Sequence, residues 1–196
     1  MSNLDLGLSV ALGIGLAAAT GFRLFLPLLV LSVAAWTGHA NLSDSFAWLG
    51  TTAAVIMLGT AAVAEIAAFY IPGVDNLLDT LATPGAVVAG TIASAAVMTD
   101  VPPMVKWTTA VIAGGGVAGI TQGLTTVLRA KSTVFTGGLG NSVVATAELG
   151  GASLISILAL AAPFAALALV VLFLWLAFRL VRSLARRTPA QGKTPH

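Results

Sequence analysis

The chain has 196 residues, 58% of them hydrophobic and 8% charged, with 21 glycines, no cysteine and a mean hydropathy of +1.00. A soluble domain carries roughly 25% charged residues, so this composition excludes a cytosolic globular enzyme, a disordered chain, a disulfide scaffold and a basic nucleic-acid binder. What remains is an all-α, polytopic integral membrane bundle, expected as one domain over residues 1–184.

The first apolar run, Leu6–Thr20, has no base before it, and Asp5 stands where a secretory leader would carry positive charge. It is read as a retained span. Phe22–Trp36 comes next. It is apolar, follows the break Gly21-Phe22-Arg23 and contains Pro27. It is either a re-entrant half-helix or a further span, because interrupted backbone at membrane depth is tolerated only where protein or water covers it. A spanning helix needs about 20 apolar residues, and further spans are expected at Phe46–Tyr70, Thr83–Met98, Met104–Leu128, Asn141–Leu160 and Pro163–Leu180. The connections Thr37-Gly38-His39, Ile71-Pro72-Gly73, Asp100-Val101-Pro102-Pro103 and Thr136-Gly137-Gly138 carry turn residues. The expected architecture is six transmembrane helices plus one short or re-entrant helix, with seven spans as the alternative.

Arg179, Arg182, Arg186, Arg187 and Lys193 concentrate in the C-terminal stretch, leaving four bases against seven acids in the rest of the chain. Bases directly after an apolar run stay in the cytoplasm, so residues 185–196 are expected to form a disordered, basic, cytoplasmic tail, read as a solvated stop-transfer segment, with contact to anionic lipid headgroups as the alternative. The pI of 9.5 therefore reflects the tail and not a basic face.

Two internal echoes suggest an inverted repeat with halves near 6–99 and 104–184. Gly13-x-Gly15-x-Ala17-x-x-Thr20 recurs as Gly114-x-Gly116-x-Ala118-x-x-Thr121, and Ala62-Val63-Ala64-Glu65-Ile66 recurs as Ala145-Thr146-Ala147-Glu148-Leu149. The two shifts differ by roughly the length of the Phe22–Trp36 piece. Setting that piece aside leaves three spans per half, and an odd number inverts the second copy, a known transporter arrangement.

Function should lie with the polar residues at membrane depth. A carboxylate there costs about 2.5–3.5 kcal/mol, so Glu65 and Glu148 must be protonated, paired, or turned toward water. Arg23 is the natural partner for one of them, since its charge is permanent. The break at Thr20 and Gly21 would present backbone groups to an ion, and Gln122 offers a donor and an acceptor at the matching place in the second half. Asp75, Asn76 and Asp79 follow a Pro-Gly turn. If Val74–Leu81 is a short helix, the two aspartates share a face and either bind a cation or simply cap the helix. Asn141 ends the glycine-rich stretch Thr136–Ser142, whose amides are spaced to line a passage but which lacks the lysine of a phosphate loop. Gly114-Gly115-Gly116 reads as a helix-packing site. His39 and His196 are too far apart in the chain to indicate a metal centre.

Thr20-Gly21-Phe22-Arg23-Leu24-Phe25-Leu26-Pro27, Ile71-Pro72-Gly73-Val74-Asp75-Asn76-Leu77-Leu78-Asp79, and the stretch from Thr136 through Ala145-Thr146-Ala147-Glu148-Leu149 together resemble a bacterial membrane-protein family, domain of unknown function 4126. The resemblance spans nearly the whole chain except the tail. It implies an all-helical protein of a bacterial inner membrane and points to Arg23, Asp75, Asp79 and Glu148 without giving them a task.

The favoured expectation is a small transporter or channel for an ion or small polar solute, coupled to protons or cations through the buried carboxylates. The alternatives are a structural or assembly protein, and an intramembrane enzyme acting on lipid with Asp75 and Asp79 as metal ligands. The last suffers from the lack of cysteine and paired histidine. The chain is accordingly read as not an enzyme, with no catalytic residue and no cofactor. Its expected partners are membrane lipids and an unidentified small solute or ion, with no nucleic acid; a homo-oligomer is compatible with such a surface.

Overall fold

The structure, a computed structural model, describes residues 3–71, 74–137 and 139–185, and all regular structure among them is helical. In chain order come α1 (Asn3–Thr20), α2 (Phe25–Trp36), a 3-10 turn at Asp44–Gly50, α3 (Thr52–Phe69) and α4 (Val74–Ala96). They are followed by α5 (Pro103–Thr136), α6 (Asn141–Ala161) and α7 (Pro163–Ala185). Within α5 the stretch Ala110–Gly115 widens into a π-helix. The basic tail from residue 186 onward lies outside the described residues.

Three helices among the described residues are long and apolar enough to cross a membrane: Thr52–Phe69, Pro103–Thr136 and Asn141–Ala161. The apolar stretches Leu4–Thr20, Phe25–Trp36, Leu81–Ala96 and Pro163–Arg179 are shorter. Several sequence boundaries need correction. Phe46–Tyr70 is not one helix, because Thr51 adopts an extended backbone (φ −93°, ψ 151°) and its side chain accepts the Ala54 N–H at 3.2 Å, starting α3 afresh as an N-cap does. The span expected from Thr83 begins instead at Val74 and runs through Pro84, so the short Val74–Leu81 helix is the first part of α4. Met104–Leu128 extends to Thr136, where Gly137 turns left-handed (φ 62°) and ends it. α2 is confirmed as short. Gly38 (φ 79°) stops it, with the Gly38 N–H on Ala35 O at 3.1 Å and the His39 N–H on Ala34 O at 2.7 Å.

Many large apolar side chains point outward, while the interior is rich in alanine. Ile56, Val63, Val88, Ile112, Val143 and Leu154 are each more than half exposed, whereas Ala17, Ala19, Ala86, Ala93, Ala118, Ala145 and Ala159 are buried. That distribution inverts the soluble pattern and, with the long apolar helices, marks a membrane protein, where close packing of small residues replaces the hydrophobic effect between helices.

α1 lies at the centre, packed on α4, α6 and α7, while α2 rests on α3 and α6. The two Gly-x-Gly copies meet on α4, since added Cβ atoms on Gly13 and on Gly114 would each reach Ser94, at 2.8 and 2.6 Å. Gly21 is pressed on α5 in the same way, a Cβ there falling 2.5 Å from both Ala118 O and Thr121 Cβ. Since one of those atoms is backbone, Gly21→Ala should cost about 1–3 kcal/mol by overpacking. Gly123 has nothing within 4 Å of its added Cβ, so Gly123→Ala should be neutral or gain about 0.5–1 kcal/mol from helix propensity. Thermal unfolding of the two variants in detergent reads the difference.

Candidate functional site

The site begins where α1 stops. The Gly21 N–H bonds Ala18 O at 3.1 Å and the Arg23 N–H bonds Ala19 O at 3.2 Å, after which the chain turns into α2. The first amides of a helix have no partner within it, and Leu24, at the cap position, has no side-chain oxygen to offer. The partner comes from α3. Glu65 accepts the Leu24 N–H on Oε1 at 2.7 Å and the Phe25 N–H on Oε2 at 3.1 Å. A carboxylate against the positive end of a helix is favourable, and in this interior it satisfies both parties.

The turn that gives Glu65 its amides also carries Arg23 into the bundle. Its Nη2 donates to Ala145 O at 2.8 Å and stands 3.7 Å from Glu148 Oε2 on α6. The same Oε2 is in closest contact with Arg129 Nη2 from α5. Arg23, Arg129 and Glu148 are all buried, as is the ring of Phe69, which stands one helical turn after Glu65 on α3. Both guanidinium carbons lie over that ring, at 4.1 and 4.3 Å from its centroid. Stacking of this kind contributes about 2 kcal/mol when desolvated. The Tyr70 hydroxyl and Thr146 Oγ1, 2.9 Å apart, tie α3 to α6 beside the cluster.

Two crevices flank it. One, of about 310 Å³, is lined by Phe22, Thr125, Glu148, Gly151, Ile155 and Phe173, among others. The other, of about 480 Å³, is lined by Leu24, Phe25, Ala61, Glu65, Phe69 and Leu81. Among the described residues they share no lining residue. The neighbours of Arg23 in sequence, Phe22 and Leu24, line one crevice each, and so do two of its contacts, Glu148 in the first and Phe69 in the second.

Of the residues singled out in the sequence, the structure brings together Arg23, Glu65 and Glu148. Thr20 and Gly21 flank this group but are occupied locally: Thr20 Oγ1 donates to Ala17 O at 2.7 Å, and Gly21 serves the contact with α5. Gln122 is buried, and its amide donates to Thr126 Oγ1 at 3.4 Å within its own helix. Asn141 opens α6, where its side-chain nitrogen donates to Thr133 Oγ1 at 2.9 Å. The glycine-rich stretch before it is used in turning the chain, with the Gly140 N–H on Thr136 Oγ1 at 2.8 Å. The backbone of Asp75, Asn76 and Asp79 belongs to the start of α4, and their side chains lie outside the described residues.

A family described as domain of unknown function (DUF4126) matches residues 10–183. The chain belongs to the DUF4126 family. No curated protein and no solved structure matches it significantly. The match to DUF4126 includes every residue of the cluster and of both crevices.

Two members of the cluster, Arg129 and Phe69, are not singled out by the sequence of this DUF4126 chain. Thr121, Gln122, Thr125 and Arg129 are all buried on one side of α5. That polar stripe on an apolar helix was the available signal. For Phe69 the sequence offers only its spacing of four from Glu65.

Proposed function

We propose that this DUF4126 chain is a small membrane transporter for an ion or small polar solute, working at the Arg23–Phe69–Arg129–Glu148 cluster. The observation that carries this reading is the pair of crevices, each with a glutamate in its wall and each reaching a residue of one buried ionic cluster. Discontinuous helices near the site, here the α1–α2 break, are the usual means of exposing polar groups at membrane depth. The same reading has the chain cross a bacterial inner membrane several times with its C-terminal end in the cytoplasm, supported by the arginines Arg179, Arg182, Arg186 and Arg187. Glu148 suits a proton- or cation-coupling role better than Glu65, both of whose oxygens are engaged by α2.

Vesicles reconstituted with the chain should pass at least one solute from a panel of inorganic ions and small organic ions faster than empty vesicles do. Gly151→Leu, which fills one crevice, should slow that flux by about tenfold or more, while Gly150→Leu on the exposed side of α6 should leave it unchanged. A panel with no flux above that of empty vesicles favours the second reading, a structural membrane protein. One observation speaks for that reading: the Glu65 carboxylate holds α2 in place.

A further inference from the structure

The two glutamates differ in what they leave open. Glu65 uses both oxygens on amides. Glu148 gives Oε2 to the arginines, while its buried Oε1 has no hydrogen-bond partner among the described residues. Arg23 is fully buried, and its Nε and Nη1 likewise lack partners there. Buried polar groups left unmade are costly, more so when charged, so this spot has unused capacity for a polar ligand. Guanidinium donors match carboxylate and phosphate oxygens. Glu148 Oε2 already sits against Arg23 and Arg129 as one oxygen of such a group would, which makes Glu148 an internal stand-in for an oxyanion.

Glu148 lies on the wall of the 310 Å³ crevice, while the fully buried Arg23 is not among its lining residues, so a ligand would reach Arg23 by taking the place of the Glu148 carboxylate. Apart from Glu148 and Thr125 the crevice lining among the described residues is hydrocarbon or glycine, and includes the Phe22 and Phe173 rings, whose centroids are 5.0 Å apart. Free inorganic ions gain nothing from such walls; an apolar body does. The geometry points to a binding site for an amphiphile whose oxyanion head, carboxylate or phosphate, replaces Glu148 on Arg23 while its apolar part lies along the Phe22–Phe173 wall. This deepens the transport reading by naming the solute class, and rests on it for the crossing but not for the binding.

Gly151 makes the test clean. It lines the crevice, an added Cβ meets nothing within 4 Å, and a helical side chain leans over the turn before it, where Glu148 stands. Binding of labelled octanoate, with competition by octyl phosphate, is measured on the full chain in phosphatidylcholine nanodiscs. Wild type and Gly150→Leu should bind alike; Gly151→Leu should stay folded and bind at least about tenfold more weakly. Arg23→Lys, which keeps the charge but loses the planar donor array, should also weaken binding. Four results overturn the proposal: no octanoate binding by wild type, unaltered binding by Gly151→Leu, equal binding of octyltrimethylammonium, or competition by inorganic phosphate as strong as by octyl phosphate. Nanodiscs containing phosphatidic acid separate the sources. Competition there identifies a membrane lipid as the ligand, its absence a soluble amphiphile, and either outcome upholds the oxyanion site. Octanoate binding without octanoate flux in vesicles upholds the site and rejects the transport reading.

Discussion

Glu148→Ala is expected to be the most damaging single substitution in the bundle, lowering stability by about 3–5 kcal/mol, the usual cost of removing one member of a buried ion pair. The reason is geometric. Oε2 of Glu148 accepts from Arg129 and forms an ion pair with Arg23 at 3.7 Å, and its loss leaves two guanidiniums over one phenyl ring without that carboxylate. Glu148→Gln keeps the volume and one acceptor oxygen, so its expected cost is smaller, about 1.5–3 kcal/mol for a charge-assisted hydrogen bond made neutral. Unfolding in detergent gives both numbers. The Arg23→Met and Glu148→Met singles with their double variant then give the coupling energy, expected at about 0.5–3 kcal/mol for groups in one network. Additive effects would show that the cluster does not act as a unit. This stability cost is also why Gly151, and not Glu148, is the position to use in flux measurements.

How much of this was legible from the residues depends on what served as partner. An arginine and a glutamate placed in hydrocarbon demand each other, so the pairing of Arg23 with a buried carboxylate could be read from residue type alone. The partner of Glu65 could not. It is the backbone of Leu24 and Phe25, and amides leave no mark in a sequence; only the break at Gly21 hinted that a helix start needed a cap. Helix existence followed hydropathy, but helix ends did not. Gly50-Thr51 divides two apolar stretches with a cap that a hydropathy average passes over, and α4 continues through Pro84, which local residue preference would place at a helix end. The two Gly-x-Gly copies do meet at one place, Ser94 of α4, a long-range contact that motif spacing alone gave no means of foreseeing.

Glu65→Gln should separate a capping role from a transport role. A carboxylate accepts from two amides at once, whereas a carboxamide has one acceptor oxygen and a nitrogen that can only donate. Either the Leu24 or the Phe25 N–H would therefore lose its acceptor, and an orphaned backbone donor away from water costs about 1–3 kcal/mol or more. Glu65→Ala would strand both amides and also remove the negative charge from the start of α2, a further loss of about 0.3–1 kcal/mol. Hydrogen exchange at Leu24 and Phe25 should rise in both variants and more in Ala, with exchange in the interior of α6 unchanged. Because α2 continues directly from the turn that carries Arg23, loosening its start should also free that guanidinium from Ala145 O, so anion binding should weaken in proportion to the exchange. Unchanged exchange at both amides in Glu65→Ala would mean that α2 is held by its packing on α3 and α6 alone, and Glu65 would then be open for a coupling role.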